Sequence, residues 1–377
     1  MSGDSNGVPV DFALLGHPAS YEHMCDLFLH FRPDYSRDKL KNHKATVAKL
    51  FEWTPSYATK TPLTIMSDSR QQLSGRLIIC TFLPEMIRSP RQIVNAYQKT
   101  LAGCRLGKEL GAKIVGLGGF TSIVSGSQGE TLAPEVGIAV TSGNSLTAAL
   151  ALAQLDCLVN RLGWDPSSRT VAVLGATGDI GRACALALAP RARRIILVAR
   201  NEAKLFALRD ELPVGPEVSV TTDVHFATQA SVVVAATSAT QPILAEADLA
   251  PGTLVCDIGY PKNLSYAPEP RSDLLVISGG LARMPFELGI TYYTQLPAPT
   301  LMYGCFAEAI ILALDGRYES FSVGQGRITP KKMDLILARA LAHGFRPAPP
   351  YRGAHPVSDD ALDLFAQRFH SAGEVRA

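Results

Sequence analysis

Short apolar runs that end in turn-forming residues recur along the chain. Phe12–Leu15 leads into Gly16-His17-Pro18, Arg76–Phe82 into Leu83-Pro84-Glu85, Lys113–Leu117 into Gly118-Gly119, and Gly137–Val140 into Thr141-Ser142-Gly143-Asn144. Such runs predict buried strands, and the helical patterns between them predict crossovers, so parallel sheet is expected. A polar cap before an Ala- and Leu-rich stretch predicts a helix from Ser145 to about Leu162. Gly163–Ser168, with Pro166 inside it, breaks the pattern and marks an expected boundary.

Beyond it, Thr170–Leu174 reads as a strand that runs at once into Gly175-Ala-Thr-Gly178-Asp-Ile-Gly181 and a helix from about Arg182 to Ala189. Further strands are expected at Ile195–Ala199, Val218–Thr221, Ser231–Ala235, Leu254–Asp257 and Leu274–Ile277, the spacing of a doubly wound sheet. A proline-bearing loop after Gly279-Gly280 precedes helices expected from about Thr300 to Leu314 and from about Pro330 to His343, with a short terminal helix after Pro347–Pro350. The expected class is α/β in three parts. Residues 1–163 are expected to form an N-terminal α/β domain, 164–296 a Rossmann-type domain that binds a dinucleotide, and 297–377 a small C-terminal helical region.

Composition narrows the function. The 377 residues are 47% hydrophobic and 19% charged, which supports a large core. Lys and Arg number 36 against 34 Asp and Glu, and the net charge of +2 removes the electrostatic case for a nucleic-acid binder. No apolar run reaches the roughly 18 residues of a membrane-crossing helix. Met1-Ser2-Gly3-Asp4 lacks the basic and apolar regions of a signal peptide, so a cytoplasmic protein is expected. Seven cysteines without a C-x-x-C pair read as reduced thiols. Cys25 lies near His23 and His30, but no fourth ligand joins them, and no metal site is expected.

In a dinucleotide site the first glycine makes the tight turn, the second admits the pyrophosphate, and the third lets helix and strand pack closely. Gly175, Gly178 and Gly181 stand in those places, with Thr177, Asp179 and Ile180 between them. An acid at the end of the next strand would bind a free ribose 2′-hydroxyl; the sequence there is Ala199-Arg200-Asn201, with Lys204 one turn on. Basic residues suit a 2′-phosphate, so the expected cofactor is NADPH, with Arg200, Asn201 and Lys204 around the phosphate and Thr237 and Tyr260 after later strands.

Cys305, in Tyr303-Gly304-Cys305-Phe306, lies early in a helix, where the dipole and free N–H groups favour a thiolate and draw its pKa toward neutrality. Core packing beside Phe306 and Ile310 is the competing reading. Several segments taken together tip the balance. Leu15-Gly16-His17, Phe82-Leu-Pro-Glu-Met86, Gly116–Ile123, Thr141–Thr147, Gly175–Gly181, Ala199-Arg-Asn201, Gly259-Tyr-Pro-Lys-Asn263 and Cys305-Phe-Ala-Glu-Ala309 resemble, in order, the long-chain fatty acyl-[acyl carrier protein] reductases of cyanobacteria. The first dozen residues, the stretch between Glu202 and Ala250, and the tail beyond about Pro350 depart from that pattern.

The resemblance implies reduction of an acyl thioester, carried by acyl carrier protein or coenzyme A, to a fatty aldehyde with NADPH. It places the nucleophile at Cys305 and, in cyanobacteria, passes the aldehyde to a downstream enzyme. The chemistry needs oxyanion donors, for which the Gly118–Ser122 loop with Thr121 and Ser122, and the Ser142–Asn144 loop, are candidates. His17 is a candidate for proton transfer or for capping its turn. A reductase of a shorter or specialised carrier-bound acyl group would use the same residues, whereas a non-enzymatic NADPH sensor would not need Cys305. The absence of a Y-x-x-x-K pair after the glycine turn argues against a short-chain alcohol dehydrogenase.

Overall fold

Phe12–Gly16 lies at the middle of a six-stranded sheet in the order Tyr57–Ala58, Gln72–Ile79, Phe12–Gly16, Ile114–Leu117, Ala139–Thr141, with Leu63–Met66 beside Gln72–Ile79. The strands from Gln72–Ile79 to Ala139–Thr141 are parallel, and the two short outer ones antiparallel. Phe12, Ala13, Leu14 and Leu15 are fully buried, because a parallel strand is covered on both faces. Ala13, Leu15, Ile78 and Val115 share one core with Leu101 and Cys104 of the Pro90–Glu109 helix. Helix Gly304–Leu314 packs against strands Phe12–Gly16 and Ile114–Leu117. A Cβ at Gly116 would stand 2.8 Å from that of Ala309, so the glycine lets helix and strand approach.

These elements belong to the first of two units, Met1–Gly143 with Met284–Gln325; the second is Asn144–Arg283 with Gly326–Ala377. The computed structural model describes residues 9–66, 72–87, 89–126, 129–324 and 327–370, so Met1–Asp4 and the chain after His370 lie outside the described residues.

The second unit is built on six parallel strands in the order Leu274–Ser278, Thr253–Asp257, Val232–Ala235, Thr170–Leu174, Arg194–Val198, Glu217–Thr221. Counted along the chain from Thr170–Leu174 this is the 3-2-1-4-5-6 order of a Rossmann sheet. Alternation along a strand feeds two cores: Val171 and Val173 face one with Leu152, Cys184, Cys256 and Phe365, and Ala172 and Leu174 face the other with Ile196 and Val233. Each fully buried Val or Leu contributes about 1.5–3 kcal/mol of transfer free energy.

The expected α/β class is observed, but the division at residues 163 and 296 is not the one the chain takes. Helix Asn144–Arg161 packs on helices Asp179–Leu188 and Pro330–Ala342, burying Leu152 and Leu155 in the nucleotide unit's core. Residues 284–325 return to the first unit, so Cys305 sits there and not in a separate helical region. Element boundaries also move. The strand expected at Arg76–Phe82 runs Gln72–Ile79, because register with Phe12–Gly16 ends at Gly16 opposite Ile79. The strand expected at Gly137–Val140 runs Ala139–Thr141. The helix expected from Thr300 starts at Gly304, after an extended Leu301–Tyr303 whose preceding Thr300 carbonyl accepts from the Met284 N–H at 2.7 Å.

Candidate active site

In the first unit the parallel strand ends converge on one helical turn. Cys305 is the second residue of helix Gly304–Leu314, and Tyr303 before it is extended, its hydroxyl donating to the Thr294 carbonyl at 2.8 Å. Gly118, after strand Ile114–Leu117, faces the Phe306 ring, which a Cβ there would meet at 2.4 Å. Gly143, after strand Ala139–Thr141, has φ +67, and a Cβ on it would lie 2.1 Å from the Cys305 Cα. Only glycine allows that contact.

Cys305 is half-buried, and the backbone N–H groups of Gly119, Phe306 and Cys305 itself lie on the side of its sulfur where they favour the thiolate. Burial dominates those donors and pushes the thiol up to about 11, with Glu308 adding to the rise. This reverses the fall toward neutrality expected of a helix start: the thiol is withdrawn from water, and a carboxylate stands one turn away. Cys80, Cys184 and Cys256 are likewise pushed up by burial and pack in the cores, whereas Cys157 is exposed.

His17 has both ring nitrogens engaged. Nε2 accepts the Phe120 N–H at 2.8 Å, and Nδ1 donates to the Pro18 carbonyl at 2.9 Å, a pairing that fixes the tautomer. Burial drops its pKa to about 4, so the ring is neutral at neutral pH. It stacks on Phe82 with centroids 4.9 Å apart. His17 thus reads as support for the loop that brings Gly119 to Cys305. Thr121 is buried with its hydroxyl turned back on the Gly118 carbonyl at 2.9 Å, and the Ser122 N–H bonds the Gly119 carbonyl at 3.2 Å within the same turn. In the other candidate loop the Gly143 N–H goes to Thr141 Oγ1 at 3.4 Å. The Thr121 hydroxyl therefore serves its own loop, while the backbone N–H groups of Gly119, Phe306 and Cys305 are those that favour the thiolate.

The second unit holds the nucleotide candidates. Gly175 has φ +77, and a Cβ on it would meet the Ala236 carbonyl oxygen at 2.4 Å; one on Gly181 would meet the Gly175 oxygen at 2.2 Å. Gly178 caps helix Asp179–Leu188 and is exposed, with Thr177, Asp179 and Ile180 half-buried around it. This is a cradle any side chain would fill, and it fits a pyrophosphate on a helix N-terminus. Arg200 and Lys204 are exposed at the end of strand Arg194–Val198 and at the start of the next helix. Asn201 is occupied as that helix's cap, accepting the Lys204 N–H at 2.9 Å.

Residues that sequence reasoning passed over hold these loops in shape. Asp257 is fully buried, and its carboxylate accepts from the Gly259, Asn263 and Leu264 N–H groups and from Asn263 Nδ2 at 2.8–3.2 Å. Asn263 Oδ1 accepts in turn from the Thr237 hydroxyl and N–H, beside Gly175. Tyr260 is half-buried under the Lys262 ammonium, 3.7 Å from the ring centroid. In the first unit Glu308 is fully buried on the helix that carries Cys305; a lone acid in Phe-Ala-Glu-Ala-Ile-Ile was the available signal. Among the described residues no group of three His, Cys, Asp or Glu side chains is placed to hold a metal ion, and no helix is long and apolar enough to cross a membrane.

A Rossmann sheet with this cradle makes the second unit a dinucleotide-binding fold, and residues 158–273 match the family described as Shikimate / quinate 5-dehydrogenase. The chain is an oxidoreductase that takes NADPH. It is 31% identical over 352 residues, 89% of its length and 98% of the relative's, to the long-chain acyl-[acyl-carrier-protein] reductase of Synechococcus elongatus, and it belongs to that family. It is also 34% identical over 274 residues to the aminotransferase PigE of a Serratia species, spanning 69% of this chain and 31% of that relative. Among solved structures, L-tryptophan dehydrogenase from Nostoc punctiforme aligns at 11% identity over 97% of this chain and 89% of its own, with a TM-score of 0.36. The nucleotide-binding domain of glutamyl-tRNA reductase from Thermoplasma volcanium aligns at 20% identity over 36% and 86%, with a TM-score of 0.24.

Proposed function

We propose that this protein reduces a long-chain acyl thioester, carried by acyl carrier protein or coenzyme A, to the fatty aldehyde through an acyl-Cys305 intermediate. The observation that carries the reading is Cys305 at the start of helix Gly304–Leu314, where the strand end at Gly143 comes within 2.1 Å, measured from the position a Cβ on it would take, of the Cys305 Cα. Its support from kinship is the family to which the chain belongs.

The sulfur of Cys305 attacks the thioester carbonyl, and its proton leaves with the carrier thiol, so a new thioester replaces the old one. Burial raises the thiol's pKa, so the thiolate that attacks is a minor species at neutral pH. The backbone donors beside the sulfur are placed for charge that develops on the carbonyl oxygen. His17, neutral and bonded at both nitrogens, keeps the 118–122 loop in place without itself exchanging a proton. The residues that would hold NADPH are Gly175, Thr177, Gly178, Asp179, Ile180 and Gly181, with Arg200 and Lys204 at the 2′-phosphate and Thr237 and Tyr260 on the other side of the turn. Bound there, NADPH supplies the hydride. Cys305 would keep the acyl carbon covalently fixed while it is reduced, and the thiolate released with the aldehyde would take a proton from water.

Intact mass spectrometry of the protein mixed with acyl carrier thioesters, without NADPH, tests this. An acyl adduct on Cys305, absent from Cys305→Ala, is the expected result. An adduct on another cysteine, or none while aldehyde still forms on adding NADPH, overturns it.

A further inference from the structure

Glu308 is fully buried in a helix that is otherwise Ala, Ile, Leu and Phe over Phe306–Leu314. A carboxylate in such a place is costly unless every oxygen is bonded. Its Oε1 accepts from the Thr141 hydroxyl at 2.5 Å and its Oε2 from the Ser322 hydroxyl at 2.9 Å. With its O–H donated to Glu308, Thr141 Oγ1 still accepts, and it takes the Ser322 N–H at 3.1 Å and the Gly143 N–H at 3.4 Å. The Ser142 hydroxyl donates to the Ser322 carbonyl, and the Val140 N–H bonds Ser320 Oγ at 3.1 Å. One carboxylate therefore organises the end of strand Ala139–Thr141 and the 320–322 segment, and the strand end runs directly into Gly143.

Gly143 touches Cys305 more closely than any side chain would allow, with the Cβ position 2.1 Å from Cα and 2.4 Å from the carbonyl oxygen of Cys305. Nothing in that contact fixes the turn by itself, since glycine is free in φ and ψ. The hydrogen bonding on Thr141 holds it. We propose that Glu308 is a positioning residue for Cys305: by tying the Thr141 and Ser322 hydroxyls, it clamps the Ser142–Gly143 turn on the nucleophile's backbone and sets where the sulfur stands. The inference rests on Cys305 being the acylated residue, and it adds a role that the nucleophile and its N–H donors leave unexplained, namely why a carboxyl group is buried one turn from the thiol.

The test compares Glu308→Gln, which keeps an acceptor oxygen and a polar nitrogen of the same shape, with Glu308→Ala. Three measurements are made on the full chain: alkylation of Cys305 by iodoacetamide, acyl-adduct formation from a palmitoyl carrier thioester, and NADPH binding by fluorescence. For Glu308→Ala, acylation is expected to fall up to about a hundredfold, the loss typical of a displaced reacting group, with NADPH binding unchanged. Glu308→Gln is expected to restore acylation to within about threefold, well under one decade of rate. Acylation of Glu308→Ala at the wild-type rate overturns the proposal, and so does equal impairment of the two variants. If Glu308→Ala does not fold, Thr141→Ser against Thr141→Val makes the same comparison through the hydroxyl, Ser retaining acylation and Val losing it; equal rates in that pair refute it. Should wild-type Cys305 take no acyl group at all, the proposed function fails, and the alkylation rates still decide whether Glu308 places the sulfur.

Discussion

The Phe120 N–H reaches His17 Nε2 at 2.8 Å, and that bond ties the end of the central strand to the loop whose Gly119 N–H lies on the Cys305 thiol. A histidine that accepts there cannot be protonated at Nε2 without losing the bond, so its neutrality and the shape of the loop are one property.

From this follows an acid limb in stability. The folded-state pKa is about 4 against an ordinary 6.5. As pH falls the unfolded chain takes this proton first, so the contribution is complete above about 6.5 and is lost on the way down to 4. His17→Ala removes an acceptor from the Phe120 N–H and is expected to cost about 1–3 kcal/mol at pH 7. The gap between wild type and variant should narrow as pH drops through that window. Urea unfolding at pH 7, 6, 5 and 4 measures it, and a gap that stays constant would remove the neutral-acceptor assignment.

Cys305 should behave as a buried thiol that reacts late on the pH axis. With a pKa near 11 in place of 9.0, iodoacetamide labelling of Cys305 is expected to keep rising up to about pH 11, where an ordinary thiol has levelled off. Peptide-mapped labelling rates from pH 7 to 11 give the profile, and a plateau near pH 8 would mean that the backbone donors outweigh burial after all. Cys305→Ser and Cys305→Ala are expected to keep NADPH affinity and lose acyl transfer by several orders of magnitude, since the serine hydroxyl is far less ionised and alanine has no nucleophile.

Much of the nucleotide unit was legible because its signals are local. Strand Thr170–Leu174, the three glycines and the following helix are contiguous, and each glycine answers to a specific close approach. The partition of the chain was not legible, because helix Asn144–Arg161 has apolar positions that suit either neighbour and only the packing of Leu152 and Leu155 decides it. The same holds for the return of residues 284–325 to the first unit. At Cys305 the helix start was visible while the burial that overrides it was not. Thr141 stands 167 residues before Glu308 in sequence, and hydroxyls around a carboxylate carry no spacing signature; the association exists only once the sheet is formed.

Arg200 is exposed at the end of the second strand of its sheet, with Lys204 on the following turn. A guanidinium bonded to a phosphate contributes about 1.5–3 kcal/mol, so Arg200→Ala should weaken NADPH roughly 10- to 150-fold and barely change NADH. Arg200→Asp should go further and narrow or invert the preference, since a carboxylate repels the 2′-phosphate and can accept from a 2′-hydroxyl. Fluorescence titration with both nucleotides checks it, and equal wild-type affinity for the two would show that the strand end does not read the phosphate.

The order of events and the product make the final prediction. An acyl-Cys305 thioester needs no reduced cofactor to form, so it should accumulate with carrier thioester alone and release aldehyde in a single turnover when NADPH is added, with ping-pong kinetics. Reduction is expected to stop there. The first hydride acts on a carbon held covalently by Cys305; the released aldehyde has no such tether, and a second reduction would need its own proton donor. His17 does not supply one, being neutral with Nδ1 spent on Pro18 and Nε2 on Phe120. Gas chromatography of reactions with excess NADPH should therefore show aldehyde with one NADPH consumed per thioester. Alcohol as the main early product, with two NADPH consumed, would overturn the two-electron assignment while leaving the Cys305 chemistry standing.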